Sequence, residues 1–323
     1  MMQRISTAPG KLVIAGEYAV LNGAPAIATA VDRRVAVTVE PNDDDCHSVR
    51  APGWVDHVGR FQASDDGVVW REGETGFDLI TATWPHFKIT GEQCVDIRID
   101  SRALLHASGT KLGLGSSAAV TVALAGALVA DGHSAIAADA HRQFQGGRGS
   151  GVDIACSTTG GVIEFEGGRT RSIEWPEGLA YTVLWSGQPA STSDKLSQLD
   201  GADSATSRTL YRAAQHVAEY WQGDDLSRLL SSLAHYVTVL RAFDIDHRLG
   251  IFDAGHRELM EIAESMNLLY KPCGAGGGDL GIVLYEADTD IAPLLARAKG
   301  VGFEPLDMSI DPEGWRLALE GPR

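Results

Sequence analysis

The segment KLGLGSSAAVTVAL at residues 111–124 says more about the fold than any other part of the chain. Its glycines let the backbone approach a ligand closely, and the Ala- and Val-rich run after them predicts a helix that ends near residue 130. The first turn of a helix presents free backbone N–H groups and a partial positive charge to an anion. The segment therefore predicts a phosphate-binding loop, with simple capping of a core helix by the serines as the alternative.

Two better-known phosphate loops do not fit this segment. The chain contains no GxxxxGK[ST] pattern, so it is not a P-loop protein. The dinucleotide pattern GxGxxA is present, but another helical stretch follows where that fold needs a strand ending in an acid. We therefore expect a different nucleotide loop, with these binding residues: Gly113, Leu114, Gly115, Ser116, Ser117 and Ala118.

Two further segments are rich in glycine. Residues 271–284, KPCGAGGGDLGIVL, hold five glycines before and within a predicted strand. A turn needs only one or two, so we expect this loop to pack against a ligand or against the first loop, with a flexible loop as the alternative. In residues 146–161, GGRGSGVDIACSTTGG, Asp153 follows a small-residue loop that can bring its carboxylate to a ligand. A helix cap is the other interpretation of Asp153.

Composition excludes several classes of protein. The formal net charge of −16 over 323 residues leaves no surplus of cations for nucleic acid or an anionic membrane. The N-terminal segment lacks the apolar core of a signal peptide. No cysteine pair has zinc-ligand spacing, which is typical of a reducing compartment; the four cysteines are Cys46, Cys94, Cys156 and Cys273. We therefore expect a cytoplasmic protein without structural zinc.

Strands and helices alternate in both halves of the chain, which predicts an α+β protein with domains at 1–175 and 176–323. Residues 41–78 look like loops with one short strand. The predicted strands are 11–15, 26–39, 67–70, 94–100, 161–165, 180–185 and 281–285, and the predicted helices after the first are 134–145, 151–158, 205–221, 224–243, 253–267 and 291–299.

Taken in order, the motifs resemble those of the GHMP kinases. The opening APGKLVIAGEYAVL matches the pattern PGK-x-x-x-x-GE, and the GLGSSAA and GAGGGD loops follow at 113–119 and 274–279. The resemblance covers nearly the whole chain. It implies a two-lobed fold, an N-terminal α/β domain and a C-terminal ferredoxin-like domain, with ATP and a small anionic acceptor in the cleft between them.

The same resemblance implies roles for individual residues. Lys11 falls on the family's active-site lysine, Ser117 on its magnesium-binding serine and Asp153 on its catalytic aspartate. The residues expected to bind the acceptor are Glu17, Tyr18, Ser150, Gly151, Gly276 and Gly277. Several family members carry a glutamate, a second magnesium ligand, on the helix before the SGxD segment that contains Asp153, but residues 140–152 contain no acid. That ligand stays unassigned, with Asp139 or Asp153 reaching the ion indirectly.

Within the family, VLWSGQPASTSDKL at 183–196 resembles a segment of the phosphomevalonate kinases. Ser191, Thr192 and Ser193 are predicted to cap a helix whose N-terminus, with Lys195, receives the acceptor's phosphate. A capped surface helix is the alternative. A mevalonate kinase, a sugar or sugar-phosphate kinase and a non-catalytic sensor remain open as functions, and a homodimer remains open as an assembly.

Overall fold

The computed structural model describes residues 2–64, 67–89, 93–129, 132–190, 195, 199 and 204–320. Its strands are β1 (Gln3–Ala15), β2 (Ala26–Pro41), β3 (His47–Arg50), β4 (Val58–Ser64), β5 (Gly67–Glu72), β6 (Val95–Asp100), β7 (Val162–Glu166), β8 (Arg169–Ile173), β9 (Leu179–Trp185), β10 (Leu269–Pro272), β11 (Leu280–Glu286), β12 (Glu304–Leu306) and β13 (Arg316–Glu320). Its helices are α1 (Asp78–Phe87), α2 (Ser116–Leu128), α3 (His133–Phe144), α4 (Val152–Thr159), α5 (Ala205–Trp221), α6 (Leu226–His247), α7 (His256–Glu264) and α8 (Ala292–Gly300).

The larger sheet is built around the long strands β1 and β2. Its order is β13-β1-β2-β6-β3-β4-β5, and β7 adds to the other end of β2 and carries β8. Residues 26–29 of β2 pair with β7 and residues 36–41 pair with β6, so one strand serves two parts of the sheet. Only β3 and β6 run parallel among the described pairs. This sheet fixes the position of the first motif, because residues 8–15 lie in β1.

The smaller sheet has the order β10-β11-β9-β12, and every described pair in it is antiparallel. When its four strands are numbered in chain order from β9, their spatial order is 4-1-3-2. Along the chain, helices connect the first strand to the second and the third strand to the fourth. This is the ferredoxin-like arrangement expected for the second half. The α+β prediction is confirmed. The division at residue 175 stays a prediction; it falls between the end of β8 and the start of β9.

Helix α2 forms the centre of the first half. Its residues from Ala118 to Ala127 are all buried, and it contacts β1, β2, α3 and α4. A helix made of small apolar residues on every side has no solvent face to offer, so it is enclosed by other elements. The enclosure fixes the first turn of α2, where the phosphate loop ends.

Residues 41–87 differ most from the sequence-based expectation. For residues 41–78 the sequence predicted loops with one short strand, but the structure has β3 and β4 there in addition to β5. Helix α1, which begins at Asp78, was not predicted. Phe61 on β4 and Trp84 on α1 are buried and in edge-to-face contact, so tertiary packing orders elements whose own apolar pattern is short. No helix among the described residues has the length and apolar character needed to cross a membrane.

Candidate active site

The opening motif and two of the three glycine-rich segments line one cavity. Its lining comes from β1 and the residues after it, α3, the loop before α4, the first turn of α4 and the start of the 274–278 loop. The first glycine loop does not line this cavity but contacts Lys11, which does. The lining residues are Lys11, Val13, Glu17, Tyr18, Val20, Leu21, His141, Gln145, Gly149, Ser150, Gly151, Val152, Asp153, Gly274 and Ala275.

Lys11 and Asp153 face each other in this cavity. The Lys11 Nζ atom lies 3.4 Å from Asp153 Oδ1, and their side chains are 9% and 26% exposed. Burial pulls the pKa of Lys11 down, but the Asp153 carboxylate pulls it up, and the net shift is upward. The ammonium therefore stays charged at neutral pH. Strand β1 and helix α4 thus bring together the two residues that the sequence assigned to the chemistry.

The phosphate loop is packed directly onto β1. The Lys11 backbone N–H donates to the Leu114 carbonyl at 3.0 Å. Gly115 has a φ of +72°, which strains any residue with a side chain, and a Cβ there would lie 2.9 Å from Lys11 Cε, so the lysine side chain would have to shift. Gly115 is also the N-cap of α2, so neither Ser116 nor Ser117 occupies the capping position. Because Gly115 has no side chain, the free N–H groups in the first turn of α2 are not bonded by a capping side chain.

Ser117 has a partner that the sequence analysis missed. Its Oγ lies 3.0 Å from Nε2 of His141 on α3, in the stretch where no acid was found. His141 is buried, and burial lowers the pKa of its imidazole despite the opposing effect of Asp153. Asp139, the other residue considered for magnesium, is exposed on α3. An isolated histidine on a helix carries no sequence signal for such a contact.

The glycines of the 274–278 loop allow it to pack tightly against neighbouring segments. A Cβ at Gly276 would lie 2.5 Å from the Ile251 carbonyl oxygen, and one at Gly277 would lie 2.6 Å from Lys195 Nζ. A Cβ on Gly113, in the first glycine loop, would lie 2.4 Å from Asp279, so the two glycine loops touch. Packing against the first loop was one of the two arrangements expected for residues 271–284. Dense glycine thus reflects close packing on both sides of this loop.

The predicted phosphate site at 191–195 is described only at Lys195. Its Nζ donates to the carbonyl oxygens of Leu249 and Gly250. Among the described residues, the cavity lining includes Gly274 and Ala275 but not Lys195, Gly276 or Gly277. The remaining members of that prediction, Ser191, Thr192 and Ser193, lie outside the described residues.

Glu17 and Tyr18 border the cavity, but both are already bonded to protein. Glu17 is 4% exposed, and its carboxylate accepts from Lys271 Nζ on β10 and from Tyr236 Oη on α6. Tyr18 donates its hydroxyl to the Ala275 carbonyl at 2.7 Å. Burial, followed by nearby carboxylates, raises the pKa of Tyr18, so its phenol stays a donor. These contacts tie the opening motif to the second glycine loop.

A second buried histidine anchors the far end of the same loop. His256 Nε2 lies 2.9 Å from the Gly278 carbonyl oxygen, and its Nδ1 lies 2.6 Å from Tyr270 Oη. A carbonyl accepts only, so Nε2 carries the proton and Nδ1 accepts from the tyrosine. Burial chiefly lowers the pKa of His256 to about 4. The imidazole is therefore neutral at pH 7.

The pKa of His256 is lower in the folded protein than in the unfolded chain, so stability should depend on pH. Its pKa rises from about 4 to its ordinary 6.5 on unfolding, so the unfolded state binds more protons between those values and stability is lost as pH falls through that window. We expect the free energy of unfolding of wild type, relative to His256→Gln, to fall by about 1.4 kcal/mol per pH unit there. Urea unfolding of both proteins from pH 4 to 7 measures this difference; parallel curves would contradict it.

Comparison with known proteins adds a relationship over the full length. Models of known families gave no match. The chain is 34% identical to a phosphomevalonate kinase from Streptomyces sp. (strain CL190), with 95% of this chain and 97% of the relative aligned. It is 27% identical to a mevalonate kinase from Bos taurus, with 95% and 93% aligned.

A solved structure shares the fold. The Streptococcus pneumoniae phosphomevalonate kinase in complex with phosphomevalonate and AMPPNP superposes with a TM-score of 0.75 at 18% identity, covering 95% of this chain and 99% of that one. At that identity the likeness supports the fold alone. The full-length relationship to the Streptomyces enzyme supports more, and it agrees with the ordered motifs around the cavity. The chain therefore belongs to the GHMP kinases, a family of small-molecule phosphotransferases.

Proposed function

We propose that this chain transfers the γ-phosphoryl group of ATP to the phosphate of 5-phosphomevalonate, giving ADP and 5-diphosphomevalonate. The observation that carries phosphoryl transfer is the buried ammonium of Lys11, which faces Asp153 beside the first turn of α2. Phosphoryl transfer needs positioned charge more than covalent chemistry from the protein. The relationship to the Streptomyces phosphomevalonate kinase supports the choice of acceptor.

In this proposal an oxygen of the acceptor's phosphate attacks the γ-phosphorus of ATP. The bond from the γ-phosphorus to the β,γ-bridging oxygen breaks, and ADP leaves with that oxygen. The N–H groups at the start of α2 hold the nucleotide phosphates, and Lys11 stabilises the negative charge that spreads over the transferred group. Asp153 holds the Lys11 ammonium at 3.4 Å and so sets its direction.

The donor set around the cavity fits magnesium. Asp153 in the cavity lining offers a carboxylate oxygen, and Ser117, which contacts His141 of the lining, offers a hydroxyl oxygen. No group of three or more His, Cys, Asp or Glu side chains suited to a metal occurs among the described residues. Magnesium is usually held by one or two protein oxygens together with substrate phosphates and waters. We therefore propose that Ser117 binds the ion, which supplies charge neutralisation on the phosphates when bound.

The contact between Lys11 and Asp153 also bears on the acceptor. A hydroxyl acceptor must lose a proton to a base, whereas a phosphate monoester, with a second pKa of about 6, presents an ionised oxygen at neutral pH. An Asp153 carboxylate that holds an ammonium suits the second case. Mevalonate is the second candidate acceptor, because the chain is also related to mevalonate kinases over its full length.

The acceptor can be tested with purified protein, ATP and magnesium. ADP release is measured across 5-phosphomevalonate, mevalonate, mevalonate 3-phosphate, galactose and homoserine. The proposal predicts the highest kcat/KM for 5-phosphomevalonate. A higher value for mevalonate would replace the proposed acceptor, and binding of ATP and acceptor without ADP release would revive the sensor alternative.

Replacement of Ser117 tests its proposed contact with magnesium. Ser117→Ala removes one oxygen ligand, so we expect kcat to fall roughly 10-fold or more and half-saturation to require more magnesium. Activity is titrated against magnesium at fixed ATP. Ser157→Ala is the matched control, because this buried serine on α4 has no hydrogen-bond partner among the described residues. Unchanged magnesium dependence in Ser117→Ala would remove Ser117 from the ion.

A further inference from the structure

Lys271 is a lysine with no exposed surface at all. It lies on β10, three residues before the second glycine loop, and its Nζ donates to Glu17 Oε1 and to the Pro272 carbonyl oxygen. A buried ammonium loses its hydration, so it is retained only where partners replace the water. The sequence analysis gave Lys271 no role, and it does not line the cavity.

Both oxygens of the Glu17 carboxylate accept a hydrogen bond from a protein side chain. The second oxygen of Glu17 accepts from Tyr236 Oη at 2.8 Å, and that hydroxyl oxygen accepts from the Gly16 N–H at 3.0 Å. Burial, and then the Glu17 carboxylate, raises the pKa of Tyr236 well above its ordinary value, so the phenol remains a donor. The segment after β1, helix α6 and strand β10 are thus joined at one buried carboxylate, both of whose oxygens are bonded to protein side chains.

Tyr18, the residue after Glu17, connects this hydrogen-bond network to the cavity. Tyr18 has φ 60° and ψ −43°, a strained conformation for a residue with a side chain. Such a conformation persists only where the surroundings hold it. On one side Glu17 is fixed by Lys271 and Tyr236, and on the other the Tyr18 hydroxyl donates to the Ala275 carbonyl in the glycine loop.

We propose that Lys271 is a positioning residue for the acceptor: by pairing with Glu17 it sets the distance between residues 16–18 and the loop at 274–275, two walls of the cavity that also holds Lys11 and Asp153. Lys271 acts through Glu17 and Tyr18 and touches no substrate. This inference assigns Glu17 to the same device, in place of the direct acceptor contact expected from its motif. It rests on the proposed phosphoryl transfer.

Three variants separate positioning from stability. Lys271→Met leaves the Glu17 charge buried and unpaired, so both stability and activity should fall. The double variant Lys271→Met/Glu17→Gln removes that unpaired charge but does not restore the ion pair. The melting temperature should therefore recover, while the acceptor KM stays roughly 10-fold or more above wild type. Tyr236→Phe, which removes the hydrogen bonds of this hydroxyl to Glu17 and Gly16 but keeps the ring and the Lys271–Glu17 pair, should raise the same KM by less.

Steady-state kinetics are measured at a temperature where every variant is folded, with hydrogen exchange of residues 274–278 followed by mass spectrometry. Exchange in that segment should be faster in all three variants. Leu294→Ala is the control, because it opens a cavity at a fully buried leucine on α8 and should lower the melting temperature with an unchanged acceptor KM. A double variant that regains both stability and the wild-type KM would show that Lys271 only supports the fold, as would unchanged exchange in residues 274–278.

Failure of the positioning role of Lys271 is distinguishable from failure of the proposed acceptor. If wild type turns over mevalonate in place of 5-phosphomevalonate, the proposed function fails, but the same variants assayed with mevalonate still test Lys271. The exchange measurement needs no acceptor.

Discussion

Lys11→Met is expected to lower kcat by roughly 10²-fold or more, because the ammonium is a preorganised charge that acts mainly on the transition state. The lysine is buried and its pKa is raised, so the charge is present across the neutral range. Methionine keeps most of the side chain's length and removes only the charge and its hydrogen bonds. Steady-state kinetics with ATP and the best acceptor give both kcat and KM.

Lys299→Met provides the control for this experiment, because that lysine is exposed on α8 far along the chain. It should leave kcat and KM unchanged. A Lys11→Met protein whose defect is confined to KM would show that Lys11 binds a substrate without stabilising the transferred group.

Asp153→Asn is expected to lower kcat by about 10²-fold, since an amide cannot pair with the Lys11 ammonium and the charge loses its direction. The pH profile of kcat/KM should nevertheless keep an acidic limb near pH 6, because that limb belongs to the second ionisation of the acceptor's phosphate. Profiles of wild type and variant between pH 5 and 8 make the comparison. Loss of the limb in the variant would make Asp153 a general base.

Local sequence patterns predicted the parts of the site in which neighbours along the chain act together. The first glycine loop and α2 are one continuous segment, and the positive φ of Gly115 favours glycine there. Asp153 was a candidate from its local sequence, but the roles of Lys11 and Asp153 were predicted through a family resemblance, and the structure brings the two side chains to 3.4 Å. Their roles in the reaction stay predictions until the variants above are measured.

The contacts that were missed share a different property. Lys271 and Glu17 are 254 positions apart, and Ser117 and His141 lie on different helices. In each pair the partners are distant along the chain, so no spacing rule reports the contact and only the fold brings the two residues together. The elements missed in residues 41–87 have the same cause, because their short strands are ordered by contacts such as that between Phe61 and Trp84.

The identity of the product distinguishes transfer to 5-phosphomevalonate from transfer to mevalonate. The purified protein is incubated with ATP, magnesium and 5-phosphomevalonate, and the mixture is followed by phosphorus NMR. We expect the monoester signal of the acceptor to be replaced by the two coupled signals of a diphosphate as ATP is converted to ADP. An unchanged acceptor signal, together with conversion of mevalonate to a phosphomonoester in a parallel reaction, would contradict it.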